Sequence, residues 1–297
     1  MHQRRTNEVR GEGASTRKPH GFGAFSGHLG GFRGGTAFAK QFHVQTHLEP
    51  HKMKKTLLAV TLAALTSGAA TTAVAADPKA PASDFELSGN VAVVSDYRFR
   101  GNSETNRKAA FQGGFDLAHK SGFYIGNWNS NIKYTTANDP AYLESDFYGG
   151  YATEVSGVGV DVGVLRYQYP GAGLYNTTEA YLGVSYGPAS YKYSRTMSDR
   201  RFGIGGSGAD SQKGAAYHDL GLEFSLSEQI TLGAHAGFTK LEGAAASGDY
   251  KDYSVSVSYA LPDDYAVGVT YHATSVKTPP KSYSLKNAAV ISLSKSF

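Results

Sequence analysis

The chain has 297 residues and contains no cysteine, which excludes disulfide frameworks and thiolate metal sites. Its formal net charge is +4, but residues 1–52 carry eight Lys/Arg against three Glu, whereas residues 77–297 carry 19 Lys/Arg against 22 Asp/Glu. The positive excess therefore precedes a mildly acidic body, whose bulk charge does not favour nucleic acid as a partner.

An export signal is predicted at residues 53–76. Lys54 and Lys55 give it a positive start, residues 57–65 form an apolar core, and a small-residue cleavage site ends at Ala76. These parts in this order are typical of a secretory signal peptide, and the core is too short to span a membrane. A short buried helix is the alternative interpretation.

Residues 1–52 precede this segment, although a signal peptide normally stands at the start of a chain. They are rich in Gly, Arg, His and Phe and show no sustained hydrophobic period. We interpret them as a mis-called extension ahead of a translation start at Met53, with a basic disordered arm as the alternative. Residues 77–84 are predicted to be a short periplasmic lead.

From residue 85 onward, apolar residues recur at every second position. Tyr253, Val255 and Val257, for example, alternate with serines. Successive side chains on a strand point to opposite faces, so each such segment has one apolar and one polar or small face. The pattern predicts twelve strands, near 85–99, 109–119, 123–134, 143–154, 158–169, 177–187, 189–198, 214–226, 230–241, 251–261, 265–275 and 285–297.

The predicted connections alternate between short turns, such as 120–122, and longer polar loops, such as 199–213. Short turns at one rim and long loops at the other are typical of a transmembrane barrel. In lipid every backbone polar group must be paired, so the sheet must close. We therefore predict an all-β fold, a closed antiparallel transmembrane β-barrel of about 12 strands over 85–297, in the bacterial outer membrane. Ten or fourteen strands are the alternatives.

The alternation breaks once, in the fifth predicted strand. Its apolar positions shift from Val162 and Val164 to Leu165 and Tyr167. One extra residue in a strand produces such a shift, so we predict a β-bulge near Leu165.

The last predicted strand ends on Phe297. Ile291 and Leu293 share its apolar face with this terminal aromatic residue, and serines occupy the other face. An amphipathic final strand with an aromatic carboxy-terminal residue resembles the sorting signal of outer-membrane proteins. Phe297 is therefore predicted to be a membrane-insertion signal.

The polar faces of the strands are predicted to line the lumen, where acidic groups outnumber basic ones. Charged groups in a pore select ions by sign, so we expect a weak preference for cations. The alternative is that these groups pair with one another and partly plug the lumen. The predicted lumen-facing residues are Asp96, Arg98, Asp116, Asp146, Asp161, Glu179, Lys192, Asp219, Glu223, His235 and His272.

The sequence contains no recognisable catalytic arrangement, and we predict no enzyme activity, metal site or cofactor. The histidines of the body lack metal-ligand spacing, and no Ser–His pairing stands out. The glycine-rich run 203–208 lacks the Lys-Ser/Thr of a phosphate-binding loop. We predict a porin-like channel for passive diffusion of ions or small hydrophilic solutes. A structural or adhesive barrel acting through 199–213 and a barrel lipid hydrolase are the alternatives.

The segment 95–103, which reads SDYRFRGNS, resembles the opening motif of the TorF family of proteobacterial porins. Residues 112–116, 121–128 and 146–151 also resemble that family, although Asn102 departs from its pattern. The resemblance implies an outer-membrane channel and supplies no substrate or catalytic residue. An outer-membrane location implies contact with lipid and lipopolysaccharide, and assembly by periplasmic chaperones and the barrel-assembly machinery.

Overall fold

A computed structural model describes residues 83–134, 140–276 and 286–297. The predicted extension at 1–52, the signal peptide at 53–76 and nearly all of the 77–84 lead lie outside these ranges, so those predictions stay untested. Within the described ranges, no helix has the length and apolar composition needed to cross a membrane.

Twelve antiparallel strands close into one barrel, in which each strand pairs with its neighbours in sequence and the last pairs with the first. This confirms the predicted fold class and strand number. The strands are β1 (Phe85–Val94), β2 (Ala110–His119), β3 (Phe123–Tyr134), β4 (Ala141–Val155), β5 (Val158–Gln168), β6 (Thr177–Tyr186), β7 (Ala189–Thr196), β8 (Ala216–Ser225), β9 (Ile230–Lys240), β10 (Tyr250–Ala260), β11 (Tyr265–Thr274) and β12 (Ala288–Ser296).

The connections sort by length, as the sequence predicted, into a turn end and a loop end of the barrel. At the turn end, β4 and β5 are joined by Ser156 and Gly157, with φ of 54° and 81°. Two consecutive positive φ values match the twist of a hairpin and favour glycine. The loop end carries the longer connections, including 95–109 and 197–215.

The outer face of the barrel is apolar. Phe115, Leu182 and Val255 are 58%, 47% and 58% exposed, and large exposed hydrophobic side chains occur on eleven of the twelve strands. Outward side chains on β9 are smaller or half-buried, as Leu232 and Ala234 show. An apolar belt that runs around a whole closed sheet far exceeds the apolar patches of soluble monomers.

The predicted bulge near Leu165 is wrong. The register of β5 runs without interruption against both β4 and β6. Val162 and Val164 point outward, whereas Leu165 and Tyr167 are buried inside the barrel. The break in the sequence pattern therefore marks an apolar interior rather than an extra residue. The register shift that does occur lies between β3 and β4, near Asn131 and Tyr134.

The loop half of the lumen contains a hydrophobic core. Tyr97, Leu165, Tyr167 and Tyr169 are each at most 6% exposed and belong to one packed cluster. Trp128 packs against the same cluster. Within the twelve strands, side chains therefore fill the half of the lumen at the loop end and exclude water from it. The half at the turn end is polar.

Phe297 closes the barrel. Its backbone N–H donates to the carbonyl of Gly89 at 3.0 Å, and the Gly89 N–H donates to the Phe297 carbonyl at 2.7 Å. A Cβ at Gly89 would lie 2.6 Å from the Phe297 ring, so glycine leaves the space that this ring occupies. The terminal residue thus completes the seam between β12 and β1.

Candidate functional site: the inserted loop and the lumen below it

The connection from β1 to β2, residues 95–109, folds into the barrel, and we call it the inserted loop. Tyr97, Glu104 and Thr105 in this loop are 1%, 4% and 1% exposed. The alternating pattern placed Asp96 and Arg98 on the first strand, and this is wrong. β1 ends at Val94, and both residues reach the interior from the loop, because a short hairpin at 98–103 turns the chain inward.

Asp96 and Arg98 hold the base of the inserted loop. The Arg98 Nε donates to the Asp96 carboxylate at 2.6 Å, and both side chains are nearly fully buried. Asp96 also accepts the hydroxyl of Ser103 at 2.5 Å, and the Tyr97 N–H donates to the Thr105 hydroxyl at 3.1 Å. Charge-assisted bonds of this kind are about twice as strong as neutral ones, so they fix the loop conformation.

Arg100 carries the loop to the far wall. Its Nη1 and Nη2 donate to the two carboxylate oxygens of Glu179 on β6, at 2.8 and 2.6 Å. Its guanidinium lies 4.2 Å from the centre of the Tyr217 ring on β8. Burial lowers the pKa of Arg100, but the Glu179 carboxylate raises it more, so it lies well above its usual range. The inserted loop therefore crosses the lumen as a fixed bridge.

A second loop, residues 197–215, covers this bridge. Its Phe202 ring packs against Phe99 of the inserted loop at 5.4 Å and against Tyr167 at 4.9 Å between centroids. The Nε of Arg201 lies 3.8 Å from Glu179, and burial together with the nearby Arg100 lowers the pKa of Arg201. Two arginines, one from each loop, thus lie against the same buried carboxylate.

A cavity of about 230 Å³ lies in the lumen beneath the inserted loop. Arg98, Phe99 and Arg100 line it from the loop, and the strand walls carry charges of both signs. The charged residues on these walls are Asp146, Asp161, Lys192, Asp219, His235 and Asp252.

Tyrosine hydroxyls bind the carboxylates on the β2–β6 wall. Tyr124 donates to Asp161 at 2.6 Å and contacts the hydroxyl of Tyr181, and Tyr148 donates to Asp116 at 2.6 Å. Lys192 lies over the Tyr181 ring, 4.2 Å from its centre. These tyrosines hold the carboxylates in place along one side of the lumen.

On the opposite wall, His235 lies between two carboxylates. Its Nδ1 is 2.8 Å from Asp219, and its Nε2 is 2.9 Å from Asp252. Only the imidazolium form can donate from both ring nitrogens to these two carboxylates at once. Tyr217 also reaches Asp252, at 3.1 Å.

The residues that were predicted to face the lumen differ in their burial and in their contacts. Their role in conduction stays a prediction. Asp116 and Lys192 are half-buried on lumen-facing strand positions, and His272 is 6% exposed. Glu223 is exposed near the turn end and does not border the cavity. The side chains of Asp146, Asp161 and Glu179 are at most 5% exposed.

The sequence pattern missed several interior charges. Arg100, Glu104 and Arg201 lie in loops, where alternation carries no information. Asp252 shares the parity of the serines of β10, and Glu144 shares the parity of Asp146 within the predicted fourth strand, so alternation could have revealed both. No group of His, Asp and Glu side chains in the described ranges has the arrangement of a metal site.

Solved structures with similar folds include the KdgM porin, at 9% identity with a TM-score of 0.46, where the match covers 71% of this chain and 98% of the porin. The NanC porin matches at 10% identity with a TM-score of 0.45, over 71% of this chain and 98% of that one. OmpF of Salmonella typhi, solved in complex with daunomycin, matches at 9% identity with a TM-score of 0.40, over 72% and 97%. Likeness of this extent carries no conclusion about solute or function, which rest on the geometry of this chain.

A comparison with curated proteins gives no match. The family model described as "Bacterial protein of unknown function (Gcw_chp)" matches residues 78–297. That range contains the whole barrel, the inserted loop and the terminal Phe297. The chain therefore belongs to the Gcw_chp family.

Proposed function

We propose that the protein is a porin-like channel of the bacterial outer membrane, through which ions or small hydrophilic solutes diffuse. The observation that carries this proposal is that the closed sheet has an apolar outer face and a polar inner face, the reverse of a water-soluble protein. Exposed side chains such as Phe111 and Ile125 are apolar, whereas buried ones such as Gln112 and Ser130 are polar. Such a barrel satisfies all strand hydrogen bonds in lipid and keeps its polar groups inside.

The barrel geometry supports a defined orientation. Because the strand number is even, the first strand begins and the last strand finishes at the turn end of the barrel. In outer-membrane barrels the short turns face the periplasm. The inserted loop then lies toward the outside of the cell. We infer that lipid and lipopolysaccharide contact the outer belt, and that periplasmic chaperones and the barrel-assembly machinery recognise the strand that ends at Phe297.

The lumen supports a narrow, charged path rather than a wide pore. The inserted loop and the 197–215 loop occupy its outer half, and each has an arginine that pairs with the buried Glu179 carboxylate. Small solutes must pass between this bridge and the walls, or the bridge must move. Acidic groups exceed basic ones along the walls, so we retain the proposal of a weak preference for cations.

Planar-bilayer recording tests the channel directly. The protein, extracted from outer membranes after expression of the full chain, should give discrete conductance steps in KCl. In a KCl gradient the reversal potential should have the sign of cation selectivity. Failure to conduct at any potential would contradict the channel, whereas a reversal potential of the opposite sign would contradict only the cation preference.

Two competing functions receive less support from the geometry. A lipid hydrolase needs a histidine that accepts a proton from a serine, but both nitrogens of His235 face carboxylates, and His119 contacts Ser121 within a turn. The 199–213 loop, through which an adhesive barrel would act, exposes residues 207–210, but Arg201 and Gln212 anchor it inside the barrel at 3% and 0% exposure. Deleting 199–213 should therefore change conductance rather than cell adhesion.

We further propose that the TorF resemblance and the Gcw_chp match concern the same group of porins. The TorF-like segment 95–103 lies within the matched range and forms most of the inserted loop. Its two arginines and its aspartate make the ion pairs that place the loop across the lumen. If family members with SDYRFRGNS replaced by a shorter loop show the same conductance, this segment does not define the channel.

A further inference from the structure

One carboxylate oxygen of the cavity wall lacks a hydrogen-bond partner among the described residues. Asp146 on β4 is 5% exposed, and its Oδ1 is fully buried and accepts no hydrogen bond from any described residue. By contrast, Asp161 receives the Tyr124 hydroxyl and Asp219 contacts His235. Removing a carboxylate from water without a partner is costly, so this oxygen is prepared for a positively charged group.

Aromatic rings surround the same corner of the cavity. Trp128 on β3 lies directly across from Asp146 in the strand register, and Tyr148 and Tyr167 border the same space. Phe99 of the inserted loop closes it from above, 5.5 Å from the Tyr167 ring. Aromatic faces attract cations, and several rings together are typical of sites for ammonium groups.

The cationic side chains that also border the cavity are engaged elsewhere. Arg98 binds Asp96 at 2.6 Å, and Arg100 binds both oxygens of Glu179 and stacks on Tyr217. Lys192 lies over the Tyr181 ring, 4.2 Å from its centre, and His235 lies between Asp219 and Asp252. The Oδ1 of Asp146 accepts a hydrogen bond from none of these four side chains. The cavity therefore retains one unmatched negative corner, which is walled by rings.

We propose that Asp146, with Trp128, Tyr148, Tyr167 and Phe99, forms a binding subsite for small organic cations of the alkylammonium or quaternary ammonium class. This deepens the proposed channel function and rests on it for the solute's route to the site. The carboxylate offsets the ligand's charge and the rings replace its weakly held water. An inorganic divalent cation fits less well, because it requires several oxygen ligands, and the described residues contain no such group.

The chain offers a direct reporter, since Trp128 is its only tryptophan. Choline chloride, titrated into the detergent-solubilised protein at constant ionic strength, should change the Trp128 fluorescence along a saturating curve. Sodium chloride should not. The uncharged isostere 3,3-dimethylbutan-1-ol should bind at least tenfold more weakly, because it lacks the charge that Asp146 compensates.

Three variants separate a specific role of Asp146 from a general effect on the lumen. D146N should weaken choline binding at least tenfold, whereas D161N, a carboxylate of the same cavity that already has a partner, should change it less than threefold. D146E keeps the charge and should retain measurable binding. The folded state of each variant is verified by its heat-modifiable mobility on gels, so a loss of binding cannot arise from a loss of the barrel.

The outcomes distinguish the subsite from the channel. A protein that conducts in bilayers but shows no saturating fluorescence change with choline keeps its channel function and loses the proposed subsite. Equal responses to choline and its neutral isostere, or unchanged binding in D146N, also overturn the subsite. A protein that binds choline through Asp146 but never conducts keeps the subsite and loses the channel.

Discussion

Arg100 and Glu179 form a bidentate ion pair across the lumen, with both side chains at most 6% exposed. One residue belongs to a loop rooted between β1 and β2, and the other belongs to β6. The pair therefore joins two parts of the wall that do not contact each other through the sheet. It makes the inserted loop a bridge rather than a free segment.

Breaking this pair should open the path and destabilise the barrel. Arg100→Ala leaves the Glu179 carboxylate buried with the Tyr167 hydroxyl at 3.4 Å and the Arg201 Nε at 3.8 Å. The loss of one partner of a buried ion pair costs about 3–5 kcal/mol. We expect a larger single-channel conductance and a lower urea midpoint of unfolding in detergent. The control is Lys120→Ala, which breaks an exposed pair with Asp84 that is worth only about 0–1 kcal/mol. Equal effects of the two variants would contradict the bridge.

Stability should fall as pH rises through neutrality because of Glu104. This residue lies in the inserted loop, and burial raises its pKa to about 7 from the usual 4.5, with Asp96 raising it further and Tyr134 and Arg98 acting in the opposite sense. The folded protein thus binds this proton more tightly than the unfolded chain. Its contribution, at most about 3 kcal/mol, is complete below pH 4.5 and is lost as pH rises through 7.

Unfolding midpoints in urea, measured from pH 4.5 to 8, check this effect. Glu104→Gln mimics the protonated form, so the variant should lose this part of the pH dependence and exceed the parent in stability at pH 8. Current through the channel should also increase with pH in the parent if the inserted loop loosens. Identical pH profiles for the parent and the variant would exclude Glu104 as the origin.

Gly163 should be required because it leaves space for the side chain of Tyr181 inside the barrel. A Cβ there would lie 2.3 Å from the Tyr181 hydroxyl and 2.6 Å from the carbonyl oxygen of Gly149. Gly163→Ala should therefore destabilise the folded barrel by about 1–3 kcal/mol. The matched control is Gly183→Ala, where the nearest atom is 3.7 Å away. The free energy of unfolding of both variants is measured in urea. Equal losses of stability would show that crowding at Gly163 is irrelevant.

Single cysteines can map the two faces, because the parent chain contains none. Val255 lies on the outer face with 58% exposure, whereas Ser254 borders the cavity. In outer membranes, a small charged thiosulfonate should modify S254C and leave V255C unmodified, since lipid covers the latter. Both should react after denaturation. The reverse pattern in membranes would place the water on the wrong side of the sheet.

Phe297 should support both closure and assembly. Phe297→Ala keeps the backbone bonds to Gly89 but removes the ring, whereas deletion of the residue removes both. We expect slower accumulation of the heat-modifiable folded form in cells for the alanine variant and a stronger defect for the deletion. Lys295→Ala, two residues earlier in the chain and half-buried, serves as the control. Normal accumulation of both Phe297 variants would show that the last residue carries no signal.

The strands and turns of this barrel were readable from the sequence, since two solvents impose a period of two on every strand. β3 and the start of β5 match the predicted bounds, and β4 begins two residues earlier than predicted. The pattern failed where that rule ceases to apply. Leu165 and Tyr167 face inward although they are apolar, because the inserted loop brings Phe99 against them.

The site was predictable only in part, for a physical reason. Strand positions such as Asp161 and Glu179 follow from alternation, but a loop that folds inward has no period. Arg100 and Arg201 find the same carboxylate from two loops separated by about a hundred residues. Nothing local in either segment encodes that meeting, which depends on closure of the whole sheet.

The aromatic cluster inside the loop half gives this protein two dry regions with different origins. The outer belt is dry because hydrocarbon surrounds it. Its contribution to the stability of the barrel therefore depends on the surrounding bilayer or detergent. The inner cluster around Tyr97 and Tyr169 is dry because chain folds over chain, as in any water-soluble enzyme. Exchange of one detergent or lipid for another should therefore perturb the strands of the barrel far more than the inner aromatic cluster.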